Sequence, residues 1–259
     1  MAEGWRLIRS PPPKGEQWDS PPVPRDRTHR VRKRKRERTT LLTIGGVIPK
    51  GDHRDVEAAL RADGWTPCGA GDWAIALRSP DGTRAARITP FDPTGPYAAT
   101  LYREAAHTRQ VPELFDHRRL TGGGDLQVME FLRPVEEAEA VAFQSAIGAR
   151  AAEVAELADI VRRVHERARR ELPWCGPLDA NPANVMRAAD GRLVVTDLFY
   201  ADGPNLYTAD PALIVARIPE GERRFMADIP FASTGPWKPG EQEALRAGIE
   251  SAQRDADAG

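Results

Sequence analysis

Cysteine is scarce: Cys68 and Cys175 are the only two in 259 residues. Their separation matches neither the paired spacing of a zinc site nor the dense bridges of a small secreted domain. No run approaches the roughly eighteen apolar residues of a membrane span. Met1 is followed by Glu3 and a proline cluster instead of an apolar leader. A soluble chain in a reducing cytoplasm, with no membrane partner, is the expectation. The five histidines show no ligand spacing, and His107 and His117 are separated by Pro112. No Gly-x-Ser-x-Gly elbow occurs, and "GGVIPKG" lacks the spacing of a Walker loop. Hydrolase, P-loop and histidine-metal chemistry fall away.

What is present is unevenly distributed. Arg25 to Arg38 sets nine Lys/Arg against Asp26 and Glu37, a local charge of +7. Residues 1–24 sum to zero, which leaves −8 for 39–259 out of a net charge of −1. The triple proline at 11–13 and Pro21, Pro22 and Pro24 make 1–40 a poor candidate for packing. That segment reads as a disordered, Pro-rich basic arm, with a translation start further along as another reading. Non-specific polyanion contact through 25–38 is a possible partner interaction, and its affinity would fall with salt.

Periodicity organises the rest. "DHRDVEAALRADG" predicts a helix burying Val56, Ala59 and Leu60 and stopping at Gly64. Alternation over Trp73, Ile75 and Leu77, a Pro-Asp-Gly turn at 80–82 and a second run through Ala86 and Ile88 predict a hairpin. A helix follows in "YAATLYREAAHTRQV", ending before Pro112. A second hairpin turns on the triple glycine of "LTGGGDL". Residues 136–172 read as helical throughout, with Val154, Leu157, Ile160 or Val161, Val164, Ala168 and Leu172 on one face. "GRLVVTDLF" is a strand after an Asp-Gly turn, and a last helix spans about 240–256.

Between them lies "LDANPANVM", in which Asp179 and Asn184 stand five apart around Pro182. As isolated residues they could simply be turn formers. The surrounding order decides more: a sheet-rich first half carrying one helix, then helices interrupted by this loop and a strand ending in Asp197. That order and the pattern Asp179, Pro182, Asn184, Val185, Met186 resemble the protein-kinase-like superfamily, in its aminoglycoside-phosphotransferase and choline-kinase branch. The likeness spans roughly residues 60–215.

The resemblance implies an α+β, two-lobed fold, with an antiparallel-sheet N-lobe over 41–132 and a mainly helical C-lobe over 133–259. It implies an ATP- and magnesium-dependent phosphotransferase acting on a hydroxyl acceptor. Asp179 would orient the acceptor, and Asn184 and Asp197 would hold magnesium. Arg87 would meet the nucleotide phosphates, clamped by Glu104. Gly69 and Gly71 in "CGAGDWAIAL" resemble the glycine-rich loop, and "QVMEFL" the adenine hinge, through backbone groups near Glu130 and Leu132.

The sequence departs from the pattern in places. Pro177-Leu178 stands where a histidine usually precedes the catalytic Asp, Arg87 replaces a lysine, Ala74 a third glycine, and Leu198-Phe199 a Phe-Gly pair. No Ala-Pro-Glu segment follows Asp197, which favours a small-molecule acceptor over a protein. Two other readings stay open: a pseudokinase using the pocket for nucleotide-dependent binding, and a nucleic-acid-binding protein acting through the basic arm.

Overall fold

Local hydrogen bonds begin the folded region. In a computed structural model, the described residues are 50–258 apart from 72, 173–174, 202–211, 213–215, 217, 219 and 227–239. The expected arm and its basic run lie outside them. Helix α1, His53–Ala62, opens on a capping box: Asp52 accepts the N–H groups of Arg54 and Asp55, and Asp55 accepts the N–H of Asp52. It buries Val56 and Leu60 and stops at Gly64, whose φ of 84° a side chain would resist.

Strands β1 (Thr66–Ala70), β2 (Ile75–Arg78), β3 (Arg84–Thr89), β4 (Leu114–Arg119) and β5 (Asp125–Glu130) form one antiparallel sheet in the order β1-β2-β3-β5-β4. The β2–β3 turn is tied by Asp81, which accepts from the Ser79 hydroxyl at 2.6 Å and from the N–H and hydroxyl of Thr83. Those bonds lower its pKa to about 2. The triple-glycine turn is sterically required at Gly123: with φ at 90°, an added Cβ would stand 1.8 Å from the Glu222 carbonyl oxygen.

The two-residue period sorts the sheet's faces. Leu77, Ala86, Ile88, Leu126 and Val128 pack with Val56, Leu60 and Trp65 against α1. Ala76, Ala85 and Arg87 alternate with them and line the opposite cavity. On that side lies α2 (Gly95–Glu104), whose Leu101 and Tyr102 share a core with Leu157, Val161 and Val164 of α4 (Ala155–Glu171) and with Val195, Leu198 and Phe199. Burying such side chains contributes about 1.5–3 kcal/mol each. This core joins the sheet-bearing half to the helical half.

The helical stretch expected as continuous over 136–172 is broken. Helix α3 (Glu137–Ala149) ends at Arg150, which has φ 54° and pairs with Asp159 on α4. The break frees α3 to reach the following loop, where Gln144 donates to the Asn181 carbonyl at 2.8 Å. A small sheet of β6 (Arg133–Pro134), β7 (Val185–Arg187) and β8 (Leu193–Val195) carries that loop, and α5 (Glu241–Asp257) is the last helix. The described residues form an α+β fold, with an antiparallel sheet and two helices, α1 and α2, before Arg133 and mainly helices after it. Among the described residues no helix is long and apolar enough to cross a membrane.

Candidate active site

Arg87 sits at the centre of the cleft because β3 turns it away from the α1 core. Its Nη1 donates to Asp92 Oδ2 at 3.0 Å, and its Nη2 meets both carboxylate oxygens of Asp197, at 2.9 and 3.1 Å. Asp92 is held in turn: its other oxygen accepts the Thr94 N–H and hydroxyl and the Gly95 N–H at the start of α2. Burial opposes the Arg87 charge, but Asp197 and Asp92 more than offset it and hold the guanidinium charged.

Asp197 follows β8 with φ 49°, a strained region for a non-glycine residue that Asp tolerates better than most. Its N–H donates to the Tyr102 hydroxyl at 3.1 Å, and burial pushes the Tyr102 phenol up. The Asp197 side chain is 42 % exposed by area, yet crowding raises its own pKa. Burial is the main cause, opposed by Arg87 and reinforced by Asp92 and Asp179.

The "DANPAN" loop is a turn tied by its own side chains. Asp179 accepts the Asn181 N–H at 2.9 Å, and the Asn181 side chain accepts the Ala183 N–H at the head of a short 3-10 turn over Pro182–Asn184. Asn184 Nδ2 donates to Asp179 Oδ2 at 2.9 Å and to the Asp197 carbonyl at 3.2 Å. Asp179, Asn184 and Asp197 are thereby brought together. The Asn184 NH2 is committed to these two acceptors, so its amide oxygen is left for a cation.

That donor set suits magnesium in one way only. Among the described residues no group of three or more His, Cys, Asp or Glu side chains could hold a metal. One carboxylate and one amide oxygen are enough for a magnesium ion whose other ligands are phosphates and water. Asn184 and Asp197 fit a metal delivered with a nucleotide.

A cavity of about 420 Å3 opens beside them, between β1–β3 on one side and Leu132, Asn184 and Met186 on the other. Gly69, Gly71, Arg87, Glu130 and Leu132 all line it. Ala76 and Ala85 give it depth because they are small. The Gly71 N–H, expected to approach phosphates, is used within the loop itself, donating to the Ala74 carbonyl at 2.8 Å. The Glu130 carboxylate points elsewhere as well: it accepts the Glu113 N–H and pairs with Arg192. Asp179 borders a second cavity, of about 230 Å3, with Trp73, Arg87, Asp92, Thr94 and Asp197.

Glu104 does not clamp Arg87. It lies in the last turn of α2 and pairs with Arg163 of α4 at 2.6 Å, whereas Arg87 meets the opposite end of that helix, where Asp92 stands. Both members of the Glu104–Arg163 pair are exposed, so Glu104→Gln should cost less than about 1 kcal/mol. Chemical denaturation should show that small loss, with nucleotide affinity unchanged in a titration. Asp92, Tyr102 and the Asn181 cap went unread in the sequence. Only the Asp-Pro-Thr-Gly run before α2, a helix-start signal, could have pointed to Asp92.

No family model and no curated protein matches the chain. Among solved structures it is similar to the PknI kinase domain of Mycobacterium tuberculosis, with 18% identity, 72% of this chain and 83% of that one covered, and a TM-score of 0.30. It is also similar to the macrolide 2'-phosphotransferase MphH of Brachybacterium faecium, as the apoenzyme, with 15% identity, coverage of 78% and 93%, and a TM-score of 0.31.

Proposed function

We propose that this protein transfers the terminal phosphoryl group of ATP to a hydroxyl on a small molecule. The observation that carries the reading is Asn184, whose single amide ties the Asp179 carboxylate to the main chain of Asp197, with Asn184 and Asp197 lining the cavity of about 420 Å3. A bare turn would not need that bond, whereas phosphoryl transfer needs its base and its metal carboxylate held in register.

In this mechanism the adenine sits by Glu130 and Leu132, against backbone groups, and the phosphates extend along Gly69 and Gly71 toward Arg87. Arg87 lowers the negative charge around the transferred group. A magnesium ion held by Asn184 and Asp197 would neutralise charge on the phosphates. Asp179 takes the proton of the acceptor hydroxyl as its oxygen forms a bond to the terminal phosphorus. The bond from that phosphorus to the bridging oxygen breaks, and the electron pair leaves with ADP. The acceptor reaches Asp179 from the cavity edged by Trp73 and Thr94.

Calorimetric titration with ATP, with and without magnesium, followed by ADP release over a panel of hydroxylated compounds, tests the reading. Magnesium-enhanced ATP binding and acceptor-dependent ADP release are expected. Tight ATP binding without turnover on any acceptor would favour the pseudokinase reading, which has its own observation: Arg87 already spans both oxygens of Asp197.

A further inference from the structure

The loop that carries Asp179 has no histidine of its own, since Pro177 and Leu178 precede the aspartate. A histidine reaches it from elsewhere. His165, on α4, donates from Nε2 to the Gly176 carbonyl at 2.8 Å. Its ring lies parallel to that of Phe199, with centroids 5.8 Å apart and planes 4° from each other. Gly176 leads through two residues to Asp179, and Phe199 is two residues past Asp197. One imidazole therefore touches both the entry to the loop and the exit from the proposed metal-binding aspartate.

The two segments are otherwise joined by few bonds. The Gly176 N–H donates to the Tyr200 carbonyl at 3.1 Å, and the Asp179 N–H to the Leu198 carbonyl at 2.9 Å. Gly176 allows this approach, since a Cβ there would lie 2.6 Å from the Tyr200 ring. Such a short ladder fixes the pairing, and its 198–200 side is also tied to the start of α2, where the Thr94 hydroxyl donates to the Phe199 carbonyl at 3.2 Å. Helix α4 supplies the fixed reference, because Leu157, Val161 and Val164 anchor it in the core shared with α2.

We infer that His165 is a positioning residue for phosphoryl transfer: from α4 it grips Gly176 and Phe199 at once, and so sets Asp179 against Asp197. It supplies across the fold the brace that residues 177–178 do not supply within the loop. The inference rests on the phosphotransfer reading. A misplacement of about 1 Å costs on the order of 100-fold in rate. His165→Phe keeps a ring against Phe199 and removes the donor, and His165→Gln keeps a donor of similar reach.

The expected result is a kcat for ATP turnover lowered about 10- to 100-fold in His165→Phe, with KM for ATP and the melting temperature little changed, and substantial rescue in His165→Gln. Wild-type turnover in His165→Phe would overturn the inference, as would equal losses in both variants tracking a lowered melting temperature. Amide hydrogen exchange over 176–179 is read alongside. Faster exchange there in His165→Phe, with β7 and β8 unchanged, supports the brace, and unchanged exchange refutes it. Should every protein be silent in the turnover assay, the phosphotransfer reading fails, and the exchange result still decides whether His165 braces the loop.

Discussion

Asp179→Asn should lower acceptor-dependent ATP turnover by about 10²- to 10⁴-fold, the contribution of a positioned general base, while ATP still binds. The substitution is nearly isosteric, so the side chain still fits the turn, but its new NH2 faces the Asn184 NH2 and the bond that joined the two side chains is lost. An amide oxygen can still accept the Asn181 N–H that Asp179 Oδ1 takes at 2.9 Å. In the proposed mechanism the substitution removes the carboxylate that would receive the acceptor proton and the negative charge that would orient the hydroxyl. The Asp179 carboxylate borders the small cavity with Arg87 and Asp197, not the larger one lined by Gly69, Glu130 and Leu132. Nucleotide affinity should therefore survive. Single-turnover kinetics beside equilibrium ATP titration would separate the two effects, and equal turnover in wild type and variant would remove Asp179 from the mechanism.

Arg87→Met is the second large effect, and it acts on the fold as well as on the site. Arg87 and Asp92 have side chains only 16% and 6% exposed, and Asp197 completes the group. Removing Arg87 leaves the buried Asp92 carboxylate without its counter-charge, beside an Asp197 carboxylate that water partly solvates. Breaking a buried pair in this way costs about 3–5 kcal/mol. Urea denaturation should report a loss of that order at neutral pH, and nucleotide affinity should fall with it.

The pH dependence gives the sign of the cause. Burial already raises the Asp197 pKa in the wild type, against the pull of Arg87. Without Arg87 that opposition is gone, so the folded-state pKa rises further above its unfolded value. The folded form then binds more protons than the unfolded one, and stability increases as pH falls through the raised pKa. The deficit of Arg87→Met should narrow between neutrality and about pH 4, near the unfolded carboxylate value. A deficit that stayed constant with pH would point to lost packing by the Arg87 stem instead.

Much of the architecture was legible because it is decided between near neighbours in the chain. The stop at Gly64, the turns at Asp81-Gly82 and Asp190-Gly191, and the triple-glycine hairpin all follow from positive φ values or from side-chain bonds spanning a few residues. The loop from Asp179 to Asn184 belongs to the same class: its two ends are linked directly by one amide hydrogen bond. The break at Arg150 escaped notice because the composition on both sides is helical and the pairing with Asp159 becomes visible only once α4 is in place.

The sequence by itself determined the order of hairpins and helices, the alternation that puts Arg87 on the cleft side of β3, and the five-residue interval of the loop. Only the tertiary structure decided who meets whom across the cleft. It gave Arg87 to Asp92 and Asp197 and gave Glu104 to Arg163. It also brought His165 to Gly176 and Phe199. The physical reason is range. A turn or a strand face is set by steric rules and hydrogen bonds between neighbouring residues. An ion pair spanning 110 positions, like that of Arg87 with Asp197, exists only where the packed core of α2 and α4 places both groups at the same point in space.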